Sequence, residues 1–284
     1  MSGNVNATSI TTESDSTINS VGIGKSGGSI TSNTAIGIDA LKNNTTGQKN
    51  VGVGYHALST NTQSAYNTAV GFLALENATS ESNTAVGSTA LRYLTTGGNN
   101  TAIGSGALGF STTGYFNVAV GLLTLSNNNS GENVAIGNYT LGSNTGSKNV
   151  AIGSRALPGN TTGGQNVAIG AFAGWNQTNT DNSIYIGKSV AGLTFNEHNT
   201  IVIGNEGIIG AGTNTAVIGN QYMGDIYFGS ASGNAAIHGK KLYLGSSSIP
   251  NCIVMGNSDG NGVSYLTVND GVLSVSVTPP SACQ

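Results

Sequence analysis

The sequence predicts an all-β protein, a parallel β-solenoid wound in coils of 16–17 residues. Three observations predict it. A short Asn-x-Ala-Ile/Val-Gly segment returns at near-constant spacing, the signature of a stacked repeat. Each copy is too short and too rich in β-branched residues for a helix, and it closes on a glycine that can turn a corner. Gly makes up 44 of 284 residues while charged residues are only 7%, against about 25% in ordinary globular domains. The polar surface must then come from Asn, Thr, Ser and backbone. Abundant Val, Ile and Thr separate this chain from a disordered one.

Residues 1–18 are polar and read as an N-terminal docking or disordered segment. The repeat shaft spans 19–219. Asn33-Thr34-Ala35-Ile36-Gly37 returns as Asn50-Val51-Gly52-Val53-Gly54 and Asn67-Thr68-Ala69-Val70-Gly71, and so on to Asn149-Val150-Ala151-Ile152-Gly153 and Asn166-Val167-Ala168-Ile169-Gly170. The repeat-defining positions are thus typified by Asn149, Ala151, Ile152 and Gly153, then Asn166, Ala168, Ile169 and Gly170. From Gly37 to Gly204 every step between closing glycines is 16 or 17 residues. Three residues after the glycine comes Ala-Leu (Ala40-Leu41, Ala57-Leu58, Ala74-Leu75), with Thr124-Leu125 and Thr140-Leu141 as variants. A turn-rich stretch such as Asn44-Thr45-Thr46-Gly47 follows. One period therefore reads as strand, Gly corner, short strand, polar turn.

Along Val150-Ala151-Ile152 the side chains alternate, Val and Ile on one face and Ala on the other. Both faces are apolar, so both are expected to be covered. The Val/Ile face is expected to fill the coil, so that Ile152→Asp should damage the fold far more than Lys148→Ala. The Ala face then needs close packing from outside, and a narrow solenoid has no second layer to supply it. Neighbouring chains are the inferred source. The asparagines, one per coil, are expected to form an amide ladder along the stack.

From Asn182-Ser183-Ile184-Tyr185-Ile186-Gly187 onward the apolar strand lengthens. Residues 220–284 break the period and read as a C-terminal β region and cap. Within it, Tyr265-Leu266-Thr267-Val268, Asn269-Asp270-Gly271 and Val272-Leu273-Ser274-Val275 carry a hairpin signal. The same region concentrates Tyr222, Tyr227, Phe228, Tyr243 and Tyr265, which are the candidate receptor contacts, because aromatic residues bring large contact area to binding surfaces.

Several classes are disfavoured. A net charge of −3 with nine scattered basic residues does not suit nucleic acid. No apolar run approaches the ~18–20 residues that span a bilayer, and Met1 to Ser20 contains no apolar signal segment. Two cysteines, Cys252 and Cys283, do not make a disulfide framework. His56, His198 and His238 fall in different phases of the repeat, and the few acidic residues, such as Glu13, Asp15 and Glu81, do not recur in register. Gly22-Ile23-Gly24 lacks the following Lys-Ser/Thr of a phosphate loop. Asn257-Ser258-Asp259-Gly260-Asn261 lacks the closing Glu of a calcium loop. No catalytic, cofactor-binding or metal-binding residue is assigned, no cofactor is expected, and the chain is not read as an enzyme.

The Asn-x-Ala-Ile-Gly repeat with its following Ala-Leu resembles the head repeats of trimeric autotransporter adhesins (the YadA-like head). It is still closer to the Asn-Thr-Ala-x-Gly arrays of phage and other viral fibre proteins. The resemblance covers about residues 19–219. It implies a left-handed parallel β-roll wound as an intertwined homotrimer and used for attachment. The chain shows no signal peptide and no C-terminal anchor barrel, and its coils run slightly longer than the adhesin head repeat, which favours the viral fibre. The expected partners are further copies of the chain, other virion proteins at the N-terminus and a host surface receptor, glycans included, with no nucleic acid and no membrane insertion. The expected location is the virion. A cellular trimeric surface adhesin is the second reading.

Overall fold

The computed structural model describes residues 30–219 in full. It also describes the backbone of five strands outside that range: β1 (Ser16–Ile18), β2 (Val21–Gly24), β15 (Asn251–Gly256), β16 (Val263–Asn269) and β17 (Val272–Ser276). The chain divides into two units, Met1–Gly224 and Asp225–Gln284. The first is a parallel β-solenoid. Its strands are β3 (Thr34–Ile36), β4 (Val51–Val53), β5 (Thr68–Val70), β6 (Thr84–Val86), β7 (Thr101–Ile103), β8 (Val118–Val120), β9 (Val134–Ile136), β10 (Val150–Ile152), β11 (Val167–Ile169), β12 (Ile184–Ile186), β13 (Ile201–Ile203) and β14 (Ala216–Ile218). Each pairs in parallel with the next. Val150 stands beside Val134 on one side and Val167 on the other, so like residues stack on like. Eleven such steps at ~4.8 Å make a stack about 50 Å long.

The sheet opens with two strands that run the other way. β1 pairs antiparallel with β2, and β2 pairs antiparallel with β3 through Ile23 and Ile36. Gly22-Ile23-Gly24 is therefore part of an antiparallel lead-in rather than a coil. In the second unit β15, β16 and β17 form an antiparallel sheet. Asn269 stands opposite Val272, which is the hairpin pairing expected from that stretch.

The core reverses one sequence expectation. Ala151 is fully buried and Ile152 is 37% exposed, and the same holds in neighbouring coils, where Ala135 and Ala168 are buried while Ile136 and Ile169 face outward. The side chains alternate as expected, but the inner face is the alanine face and not the Val/Ile face. The reason is the facing wall. Leu41, Leu58, Leu75, Leu91, Leu108, Leu125, Leu141 and Leu157 are all fully buried and stack as a column through the stack's interior. In so narrow a coil, leucine on one wall leaves room only for alanine on the other.

The second half of each period also differs from expectation. Ala-Leu is a turn, not a strand. Its leucines sit in left-handed backbone, with φ of 45–53° from Leu41 to Leu157. That conformation costs roughly 1–2 kcal/mol for a side-chain-bearing residue. It bends the chain so that the side chain points inward, and burying a leucine returns about 1.5–3 kcal/mol. The backbone remains bonded coil to coil, as in Leu41 N–H to the Ala57 carbonyl at 3.0 Å.

Where the leucine column fails, the opposite wall refills it. Its next position is Gly174, and the next coil puts Tyr185, the largest fully buried side chain, at the alanine position. A Cβ on Gly174 would lie 3.2 Å from the Tyr185 ring. Burial raises the pKa of the Tyr185 hydroxyl, partly opposed by hydrogen bonds to Thr180 and Ser183. Tyr185 therefore contributes stability that is fully present below the unfolded-state pKa of tyrosine and is lost as pH rises through the higher folded one. Tyr185→Phe should remove that alkaline loss. At neutral pH it should cost only about 1 kcal/mol, since the contact to Thr180 Oγ1 is a long 3.3 Å. Urea unfolding at neutral and alkaline pH checks both statements.

Candidate functional site

Two outer surfaces of the solenoid carry features beyond folding. The first is the outward face of the parallel sheet. Two columns run along it, one residue before and one after the buried alanine. From β8 to β13 both columns are wholly aliphatic, Val118 and Val120 to Ile201 and Ile203, and none of these residues is fully buried. From β3 to β7 the first column mixes Thr34, Thr68, Thr84 and Thr101 with Val51, while the second stays Ile or Val. No charged residue occurs in either column from β3 to β14. The result is an uncharged stripe along the outer sheet face, unbroken Val/Ile in its second column.

The second surface lies just past the glycine corner. There the side chains of successive coils stack in columns of changing character. At the N-terminal end they are charged: Lys42 pairs with Asp39 at 3.2 Å, and His56 Nε2 lies 3.3 Å from Asp39. His56 Nδ1 lies 3.7 Å from Glu76, which also holds Arg92 at 2.7 Å. The Glu76 hydrogen bond raises the Arg92 pKa further. Tyr55 stacks on both His56 and Phe72, and Arg92 lies over Tyr93. This ladder clips four coils together. By sequence His56 is set only against the other histidines, and its acidic neighbours Asp39 and Glu76 go unremarked. The signal that would have found the cluster is phase, because Asp39 and His56 hold the same position in consecutive coils, as do Glu76 and Arg92.

Further along, the same surface opens into a groove of about 410 Å³. Its lining includes Phe110, Leu123, Asn127, Tyr139, Ser143 and Arg155. The recess has a local cause. The column that holds Glu76 and Arg92 continues as Gly109, Ser126, Gly142 and Pro158, so long side chains give way to none or short ones. Tyr139, Arg155 and Phe172 rise beside it from a neighbouring column, each in left-handed backbone with φ of 52–58°. The Arg155 guanidinium lies between the Tyr139 and Phe172 rings, 5.7 and 5.8 Å from their centres.

Of the positions singled out from the sequence, Asn149, Ala151, Gly153, Asn166, Ala168 and Gly170 build the interior and corner, whereas Ile152 and Ile169 belong to the outer stripe. Tyr222, Tyr227, Phe228 and Tyr243 lie outside the described residues, and of Tyr265 only its place on β16 is described. His198 faces Asp181 at 3.2 Å on the surface, and His238 lies outside the described residues. Among the described residues no group of three or more His, Cys, Asp or Glu is placed to hold a metal ion. No helix among them is long and apolar enough to cross a membrane. No family model, no curated protein and no solved structure matches this chain.

Proposed function

We propose that three copies of this chain associate into a fibre of a virus particle that attaches the particle to its host surface. The observation that carries the reading is the uncharged Val/Ile stripe on the outer sheet face. Soluble monomers rarely leave a long apolar surface open to water, and closed rotational symmetry is the usual way a single repeated face becomes covered. The inversion of the core sharpens this argument. Val and Ile, not Ala, are what neighbouring copies would cover, and they offer far more apolar area per coil. A left-handed trimer wound about that stripe would leave the polar turns outside. The irregular C-terminal region with its tyrosines would engage the receptor, and the polar N-terminus would dock to the particle.

Sedimentation of the full chain tests the assembly. The expected mass is three times 28.3 kDa, and a stable monomer at micromolar concentration overturns it. The paired change Ile152→Asp with Ile169→Asp should release folded monomers, because both residues are outward and a carboxylate there meets water unless a partner covers it. Retention of the β-sheet circular dichroism in those monomers separates loss of assembly from loss of fold. Antibody against the purified chain should decorate the particle's fibres and block adsorption to host cells. Particles that carry none of the chain would sink the viral reading.

A further inference from the structure

The groove past the glycine corner has the composition of a ligand site rather than of a packing defect. Phe110 and Tyr139 are 56% and 40% exposed, yet they flank a recess instead of standing alone on a convex surface. Phe110 stacks on Tyr93 on one side, with ring centres 5.8 Å apart and planes within 12°. The next residue of its own column is Asn127, so no further ring covers its other side. Arg155 supplies the only charge in the lining. Its guanidinium is held between two rings but has no carboxylate partner and no hydrogen bond among the described residues. Arg92 and Lys188, by contrast, are each paired with a glutamate. Neutral polar groups complete the recess. Asn127 donates weakly to the Gly142 carbonyl at 3.4 Å, leaving its carbonyl oxygen free, and the Ser143 hydroxyl has no partner among the described residues.

We infer that this groove binds a sugar unit bearing a carboxylate. The volume is that of a small-molecule site and suits one or two pyranose rings. An aromatic face accepts the apolar C–H face of a sugar ring, while amide and hydroxyl groups at the rim match its hydroxyls. The single guanidinium presents parallel N–H donors of the geometry a carboxylate accepts. With one cation and no second basic residue in the lining, a lone carboxylate fits better than a di- or triphosphate. The inference goes beyond the fibre reading and needs neither the trimer nor the C-terminal region. On a fibre, the weak affinity of one such site would be multiplied by simultaneous engagement of several copies.

The test uses the full chain with N-acetylneuraminic acid and glucuronic acid as probes, galactose as the neutral sugar and acetate as the bare carboxylate. Saturation-transfer NMR and isothermal titration read binding. The acidic sugars should bind, and Arg155→Gln should weaken them about tenfold or more, the size of a lost charge-assisted contact. Phe110→Ala should weaken acidic and neutral sugars alike, with unchanged circular dichroism because the ring is exposed. Lys148→Ala, a surface change outside the groove lining, should leave binding as it was. Absence of any binding by either acidic sugar overturns the inference. So does undiminished binding by Arg155→Gln, or acetate binding as tightly as the sugars, since the aromatic platform would then contribute nothing. None of these outcomes depends on the mass measured by sedimentation, so the two readings fail separately.

Discussion

Replacing Gly153 by alanine should destabilise the solenoid by about 2–6 kcal/mol. The expectation joins two independent effects. Gly153 has φ +132°, a region that residues with a side chain almost never adopt, and occupying it costs of order 1–3 kcal/mol. A methyl group there would also lie 2.5 Å from the carbonyl of Gly170 in the next coil, against backbone that cannot rotate away. Overpacking of that kind adds about 1–3 kcal/mol. The corner glycines stack along the whole coil column with φ between +126° and +141° from Gly37 to Gly187, so the strain cannot be relieved by a small local shift. Gly207 supplies the control. Its φ is +76° and nothing lies within 4 Å of the added carbon, so Gly207→Ala should cost only about 1–2 kcal/mol of backbone strain. Urea denaturation of both variants decides the matter. Equal losses would mean that contact between stacked corners contributes nothing.

Much of this fold was legible because a stacked repeat turns sequence columns into spatial columns. The closing glycines mark the corner, and the asparagine four residues earlier marks a rung of the ladder. What the alternation of Val150-Ala151-Ile152 could not decide was which face points inward. Periodicity of two defines two faces and no more. The deciding clue lay elsewhere in the same columns. Thr34, Thr68, Thr84 and Thr101 share a face with the Ile/Val column, and a face that tolerates threonine in most of its early coils is not a sealed interior. The leucine column, unbroken from Leu41 to Leu157, identifies the residue that fills the lumen. The groove was less legible still. It depends on what is missing, since Gly109, Ser126 and Gly142 leave space where Glu76 and Arg92 stand in earlier coils. A motif search registers residues that are present, whereas this recess is made by three coils in which a long side chain fails to recur.

The asparagine ladder gives the second large effect, and its chemistry makes the outcome depend on which atom is removed. Asn133 is fully buried. Its backbone N–H donates to Asn117 Oδ1 at 3.0 Å, and its own Oδ1 accepts the backbone N–H of Asn149 at 2.9 Å. Its Nδ2 donates to the Gly146 carbonyl in the turn of the next coil at 3.0 Å, and also to the Gly131 carbonyl at 3.2 Å. One side chain therefore satisfies a strand amide of the next coil and a turn carbonyl at once. Asn133→Ala leaves the buried Asn149 N–H without its acceptor, at a cost of about 1–3 kcal/mol, while the Gly146 carbonyl keeps the Asn144 amide and the Ser130 hydroxyl as donors. Asn133→Asp keeps the acceptor for Asn149 and loses the donor, placing a buried negative charge against the Gly146 carbonyl. Burial disfavours the charged form and raises that carboxyl's folded pKa. The charge penalty is then full above the raised folded pKa and disappears as pH falls below the unfolded one. The protonated acid regains an O–H that can donate to Gly146. Stability of Asn133→Asp relative to the parent should therefore rise on acidification, while the deficit of Asn133→Ala stays flat. Thermal melts of the three proteins across the acidic range read this difference, and parallel pH profiles for the two variants would show that the side-chain amide is not what joins one coil to the next.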